Sequence, residues 1–234
     1  MQDFTGKVVL ITGAAGNLGR AVAAAFEAVG ARLALVDRSE ESLANIYGEG
    51  PTRLPVVADL TSEASVAAAV ARVVEHYGRI DVLANIAGGF RMGPPLHETP
   101  VETWDFMLAL NATSAFLACR AVIPHMLAAG WGRIINVGAR AAVEPKGWMV
   151  PYCVSKAAVV TLTQGLAAEH RDDGLTVNCI LPGTVDTPQN RADMPDADWS
   201  RWVPPAALAD VVLFLASDAA RAVNGVAVPV YGAS

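Results

Sequence analysis

Seven short apolar runs punctuate the chain, and most are separated by longer stretches with apolar residues at helical spacing. The runs are KVVLIT (7–12), RLALVD (32–37), PVVADL (55–60), DVLANIAGG (81–89), RIINVG (133–138), LTVNCILPG (175–183) and VAVPV (226–230). Each is apolar on both alternating faces, as expected for strands covered on two sides. Between them, RAVAAAFEAVG stops at Gly30 and SVAAAVARVVEHYG stops at Gly78, both reading as helices. Strands alternating with helices predict βαβ units, hence an α/β single-domain fold with a doubly wound parallel sheet of about seven strands. No repeat or linker divides residues 1–234. The longest irregular stretch, from Gly183 to Pro205, reads as a substrate lid over about 184–205 or as a partly helical surface excursion.

Composition narrows the function classes. A net charge of −6 without a basic run argues against nucleic acid as a partner. No uninterrupted apolar run reaches the ~18 residues that span a bilayer, and the start carries no signal-peptide pattern, so no membrane partner is expected. Cys119, Cys153 and Cys179 are odd in number and scattered, which suits reduced thiols in a cytoplasmic protein. His76, His97, His125 and His170 share no metal-ligand spacing, so no metal is expected.

The chemistry gathers at the ends of the strands. LITGAAGNLGR places Gly13, Gly16 and Gly19 between the first strand and its helix, with Asn17 and Leu18 at the helix start. Glycines there permit a tight turn and let the backbone approach a pyrophosphate, which the helix N-terminus attracts. Asp37 ends the second strand, where a carboxylate accepts from ribose hydroxyls and repels a 2′-phosphate, favouring NADH over NADPH. Arg38 opposes that preference, since it can stack on adenine or hold a phosphate. Asp59 ends the third run and could touch the adenine. NIAGG, with Asn85, Ala87 and Gly88, brings flat backbone towards the cofactor. Tyr152 and Lys156 lie four residues apart, on one face of a helix. An ammonium beside a phenol is expected to lower the phenol's pKa and ready it for proton transfer. From Val137 to Pro151 there is no Ser, Thr or Tyr.

With these motifs in order, the chain resembles the short-chain dehydrogenase/reductase family over essentially its whole length. The likeness rests on TGAAGNLG, Asp37, ADL (58–60), NIAG (85–88), Asn111 in WDFMLALNAT, YCVSK (152–156) and LPGTVDTP (181–188). It implies a nicotinamide cofactor held also by Leu60, Pro182, Gly183, Val185 and Thr187. It implies Tyr152 as proton donor or acceptor, Lys156 as its tuner and ribose contact, and Asn111 as prop for a water linking Lys156 to solvent. The family's fourth catalytic position, a Ser thirteen residues before the Tyr, is Ala139 here. Three segments resemble dihydropteridine reductases more narrowly: IAGGF (86–90), GARAAVEPKGWMVPYCVSK and DTPQNRADMPDADWSRWVPP.

That narrower likeness suggests a quinonoid dihydropterin-like substrate. Hydride entering a conjugated C=N system builds no localised alkoxide, so losing the Ser costs little. Ala139 would then face the substrate, and Phe90, Trp148, Trp199 and Trp202 could wall a flat ring, though each aromatic also suits ordinary packing. Two other readings stand beside it. One is an ordinary carbonyl or alcohol dehydrogenase in which a water or Asn136 replaces the Ser. The other is a silent nucleotide-binding regulator, which has no physical need for Asn111, Tyr152 and Lys156 together. The resemblance further implies a homodimer or homotetramer, paired through helices spanning about Val101–Ala129 and Val150–His170.

Overall fold

The computed structural model describes residues 3–48 and 50–233. Its centre is a parallel sheet of seven strands: β1 (Val8–Thr12), β2 (Arg32–Asp37), β3 (Arg53–Val57), β4 (Val82–Asn85), β5 (Gly132–Val137), β6 (Leu175–Pro182) and β7 (Ala227–Val230). The spatial order is β3-β2-β1-β4-β5-β6-β7, with every neighbouring pair parallel. The chain winds outwards from β1 to β3, then returns to lay β4 against the other side of β1. That reversal opens a crevice at the carboxyl ends of β1 and β4, where Thr12 pairs with Asn85.

Two apolar layers cover the sheet. On one face, Val22 and Phe26 of α1 (Asn17–Ala28) meet Leu208, Val212 and Leu215 of α8 (Pro205–Ala216), over Val9, Ile11 and Leu35. On the other, Val70 and Val73 of α3 (Glu63–Tyr77) meet Val122 and Met126 of α5 (Ser114–Ala129), over Val8, Leu10 and Leu83. Alternate residues of β1 thus feed opposite cores, which is why its sequence reads as unbroken apolar. Glycines stop two of these helices: Gly78 at φ 76° and Gly130 at φ 61° take the left-handed turn that ends α3 and α5.

The third strand runs over 53–57 rather than 55–60, so Asp59 and Leu60 lie in the turn beyond it. Pro55 tolerates this because β3 is the sheet edge, where a missing N–H breaks no inner ladder. A short α2 (Glu40–Ile46), capped by Ser39, fills the connection between β2 and β3. α4 (Val101–Leu108) continues through a π-turn at Ala109–Thr113 into α5. The combined helix, Val101–Ala129, is long and apolar enough by composition to cross a membrane, although its apolar residues do not form an unbroken run of ~18. Half of its most apolar window is buried within the molecule, as a core helix requires. α6 spans Val150–Glu169 and crosses behind β5 and β6.

Candidate active site

The glycine turn is built by backbone crowding. Gly13 sits at φ 66°, and a Cβ on it would lie 2.7 Å from the Cα of Ala87. A Cβ on Gly19 would lie 2.1 Å from the Gly13 carbonyl oxygen. No side chain caps α1, leaving Gly16 and Asn17 exposed at its N-terminus. Free amides at a helix start, on a turn stripped of side chains, fit the pyrophosphate of a dinucleotide. Asp37 accepts from the Ala15 amide at 3.0 Å and from the Arg38 amide at 2.8 Å, so its carboxylate is seated beside the turn. Two further residues set the turn's position without any local sequence signal. The Tyr47 hydroxyl donates to the Ala14 carbonyl at 2.8 Å, and Thr12 Oγ1 accepts from the Ala87 amide at 3.2 Å. Their contacts span 33 and 75 residues, which no motif spacing reveals.

Several candidate side chains have partners within the protein. Asp59 accepts from the amide and hydroxyl of its neighbour Thr61, which hold its carboxyl below the usual range. Asn85 is buried and donates to Asn136 Oδ1 at 2.9 Å and to Cys119 Sγ at 3.3 Å, so its amide ties β4 to β5. Asn136 is fully buried and donates onwards to Thr163 Oγ1 at 2.9 Å. An amide engaged at both ends inside the core is unavailable to replace a catalytic hydroxyl, which corrects that expectation for Asn136. Thr187 Oγ1 caps α7 (Pro188–Asp193) by accepting from Asn190 N.

The stretch 184–205 is a braced unit. Val185 bridges to Val203, Asp186 holds Arg191 through two bonds of 2.6 and 2.7 Å, and Arg191 lies over the Trp199 ring. Trp199 and Trp202 meet at a tilt, 6.4 Å between centroids, and Trp202 is buried, so its surface serves the segment's own packing. Trp148 is 60% exposed and takes φ 59°, uncommon for a bulky residue, while its carbonyl accepts from Gly93 N at 2.8 Å. Phe90 is 54% exposed and meets the Tyr152 ring edge-on at 5.0 Å. Ala139 is buried at the end of β5.

Tyr152 and Lys156 share the first turns of α6, as their spacing requires, but the electrostatics differ from the simple pairing. Burial pushes the Tyr152 phenol up to about 12 and, likewise by burial, the Lys156 ammonium down to about 8. Lys156 spends a bond on the Val137 carbonyl at 2.8 Å. Desolvation sets the phenol's direction, and no lowering by the Lys156 ammonium accompanies it. Asn111 is anchored on two sides. Its Oδ1 accepts from Gly89 N at 3.0 Å, and its Nδ2 donates to Gly89 O at 3.0 Å and to Ser155 Oγ at 3.1 Å. Both amide protons are thus committed to protein, which leaves the second lone pair of Oδ1 as the side-chain site for a water. Gly88 is pressed against this group: a Cβ on it would lie 2.7 Å from Asn111 Oδ1 and 3.0 Å from Lys156 Nζ.

Residues 7–198 match the family model described as short chain dehydrogenase. The chain is 38% identical to a 2-(R)-hydroxypropyl-CoM dehydrogenase of Xanthobacter autotrophicus, over 97% of this chain and 98% of that one. It is 39% identical to a D-threitol dehydrogenase of Mycolicibacterium smegmatis, over 94% and 89% of the two chains. A solved structure of NAD+-bound xylitol dehydrogenase superposes with a TM-score of 0.90 at 30% identity, covering 98% of this chain and 99% of that one.

Proposed function

The chain belongs to the short-chain dehydrogenase family and is a nicotinamide-dependent oxidoreductase; from that premise we propose that it reduces a flat, conjugated, dihydropterin-like molecule and prefers NADH to NADPH. The observation that carries the reading is Ala139, which offers no hydroxyl at the end of β5 while the nearest amide substitute, Asn136, is locked in the core. A carbonyl substrate concentrates charge on one oxygen, where a fixed donor is typically worth about 3–4 kcal/mol. A conjugated ring spreads that charge and needs only a proton.

Tyr152 carries its proton at neutral pH, as a donor must. A phenol held at about 12 is a proton donor at neutral pH. A bound nicotinamide would supply the hydride. Tyr152 would deliver the proton, Lys156 would contact the ribose, and Gly13, Gly16 and Gly19 would hold the pyrophosphate beside Asp37. Phe90, edge-on to Tyr152, offers its exposed face to the ring. The segment 184–205 serves as lid.

A second reading has its own support. The relatives named above are dehydrogenases of alcohols, D-threitol among them. On that reading the protein oxidises an alcohol or diol, with a water in place of the Ser. The test is a steady-state comparison with both cofactors: quinonoid dihydropterin with NADH, a cyclic ketone with NADH, and D-threitol with NAD+. Fast dihydropterin turnover and slow turnover of the others is expected. Good ketone or threitol turnover with no dihydropterin activity overturns the first reading in favour of the second.

The same proposal includes assembly as a homodimer or homotetramer. Phe106 of α4, Phe116 and Leu127 of α5 and Val154 of α6 leave apolar surface exposed along the two long helices. Burying such surface against a second copy removes it from water. A monomer mass by light scattering at micromolar concentration would count against it.

A further inference from the structure

Ser155, given no role of its own within YCVSK, joins the three segments that carry the candidate chemistry. It lies in α6 one residue before Lys156 and is wholly buried. Its hydroxyl donates to the Tyr152 carbonyl at 2.8 Å and accepts from Asn111 Nδ2 at 3.1 Å. The first bond is ordinary: a helical Ser commonly bonds back to a carbonyl three or four residues earlier. The second is not, because it crosses from α6 to the π-turn.

Asn111 then passes the restraint on. Its amide grips both the N–H and the C=O of Gly89, each at 3.0 Å. Crowding leaves the loop little room, since a Cβ on Gly89 would lie 2.7 Å from Leu110 Cδ2 of the same π-turn. The next residue, Phe90, places its ring edge-on to Tyr152 at 5.0 Å. The contacts close a ring: Tyr152 to Ser155, to Asn111, to Gly89, to Phe90, and back to Tyr152. Within that ring the backbone of Tyr152 is bonded from its own helix and its aromatic ring meets the opposite loop.

We propose that Ser155 is a positioning residue: its hydroxyl pins Asn111 to α6 and so fixes the Gly89–Phe90 loop, and with it the Tyr152 phenol, for proton transfer. The inference rests on the reading of Tyr152 as proton donor. It requires Ser155 to act on turnover through Asn111 and to leave the distant glycine turn untouched.

The experiment is a double-mutant cycle on the faster substrate of the panel above, with Ser155→Ala, Asn111→Ala and the pair. NADH affinity is read by fluorescence and folding by thermal melting. Ser155→Ala is expected to lower kcat about 10–100-fold, as displacement of a reacting group does. NADH Kd should stay within about two-fold, and in the Asn111→Ala background Ser155→Ala should remove less than a further two-fold, because coupled residues are not additive. Unchanged kcat in Ser155→Ala overturns the proposal. So does a full additional loss in the Asn111→Ala background, or a loss of NADH affinity and melting temperature in step with kcat. If Ser155→Ala does not fold, Ser155→Cys carries the same test, because it keeps the volume and weakens the bond. Tyr152→Phe, measured alongside, separates the two failures. Full turnover there sinks the proton-donor reading, whereas collapse there with Ser155→Ala unaffected sinks only the role of Ser155.

Discussion

The two halves of the crevice are built by different means. The candidate cofactor side, at the ends of β1 and β2, is mostly backbone: Gly13, Gly16 and Gly19 shape a turn, and one carboxylate, Asp37, is seated by the amides of Ala15 in that turn and of its neighbour Arg38. The candidate substrate side, at the ends of β4 and β5, is fastened by side chains. There Asn111, Ser155, Phe90 and Tyr152 fix one another across gaps of up to 62 residues in sequence. A backbone turn tolerates change around it but not a Cβ within it. A side-chain ring tolerates change in each member's neighbours but not the loss of a member. The difference explains why the cofactor side follows a short motif, while the substrate side can drop a hydroxyl at Ala139 and remain ordered.

Substitutions can break or sharpen that contrast. The largest effect is expected from Tyr152→Phe, which should lower kcat about 10²–10⁴-fold, the usual worth of general acid catalysis, with NADH affinity unchanged by fluorescence. A comparable loss of NADH binding would blur the division between the halves. Asn136→Ala tests whether the β4–β5 amide network belongs to the core or to the chemistry. It should cost about 1–3 kcal/mol in urea unfolding, because Asn85 and Thr163 lose a buried partner. Its kcat should stay within a few-fold of the unmutated protein. Asp37→Ala probes the cofactor side alone: the ratio of NADPH to NADH Kd should shrink about ten-fold, with kcat on the preferred substrate little changed.

Lys156 gives a pH signature on the substrate side. Its pKa in the folded protein, about 8, lies below the ordinary 10.5 of the unfolded chain. Between those values the unfolded chain binds the proton that the folded protein has lost, so Lys156 makes stability rise with pH there. The buried thiols Cys119 and Cys179, raised to about 12 and about 11, oppose this above pH 9, where the unfolded chain ionises first. The clean window is therefore pH 8 to 9. There the cofactor-free protein should gain about 1 kcal/mol per pH unit over Lys156→Met, compared by urea midpoints at matched pH. Parallel curves would place Lys156's proton outside this range. The smallest effect is expected from Ala139→Ser. Dihydropterin reduction should change by no more than a few-fold, and a rise in ketone reduction would show that the hydroxyl, once restored, still finds its place.

The sequence alone determined the strands, their parallel arrangement, the glycine turn and the Tyr152–Lys156 pair. These follow from local periodicity, from glycines where a Cβ would collide, and from the pitch of a single helix. It misplaced the third strand by two or three residues because PVVADL is apolar beyond the edge pairing that ends at Val57. Tertiary structure alone decided what the polar side chains do. Asn85 and Asn136 became core fasteners, Asn111 a clamp on Gly89, and Tyr47 a brace for the glycine turn. It also reversed the expected tuning of Tyr152, since desolvation depends on everything packed around a group and not on one neighbour four residues away. A pattern fixes which way a residue points along its own element; what it meets there is set by residues from elsewhere in the chain.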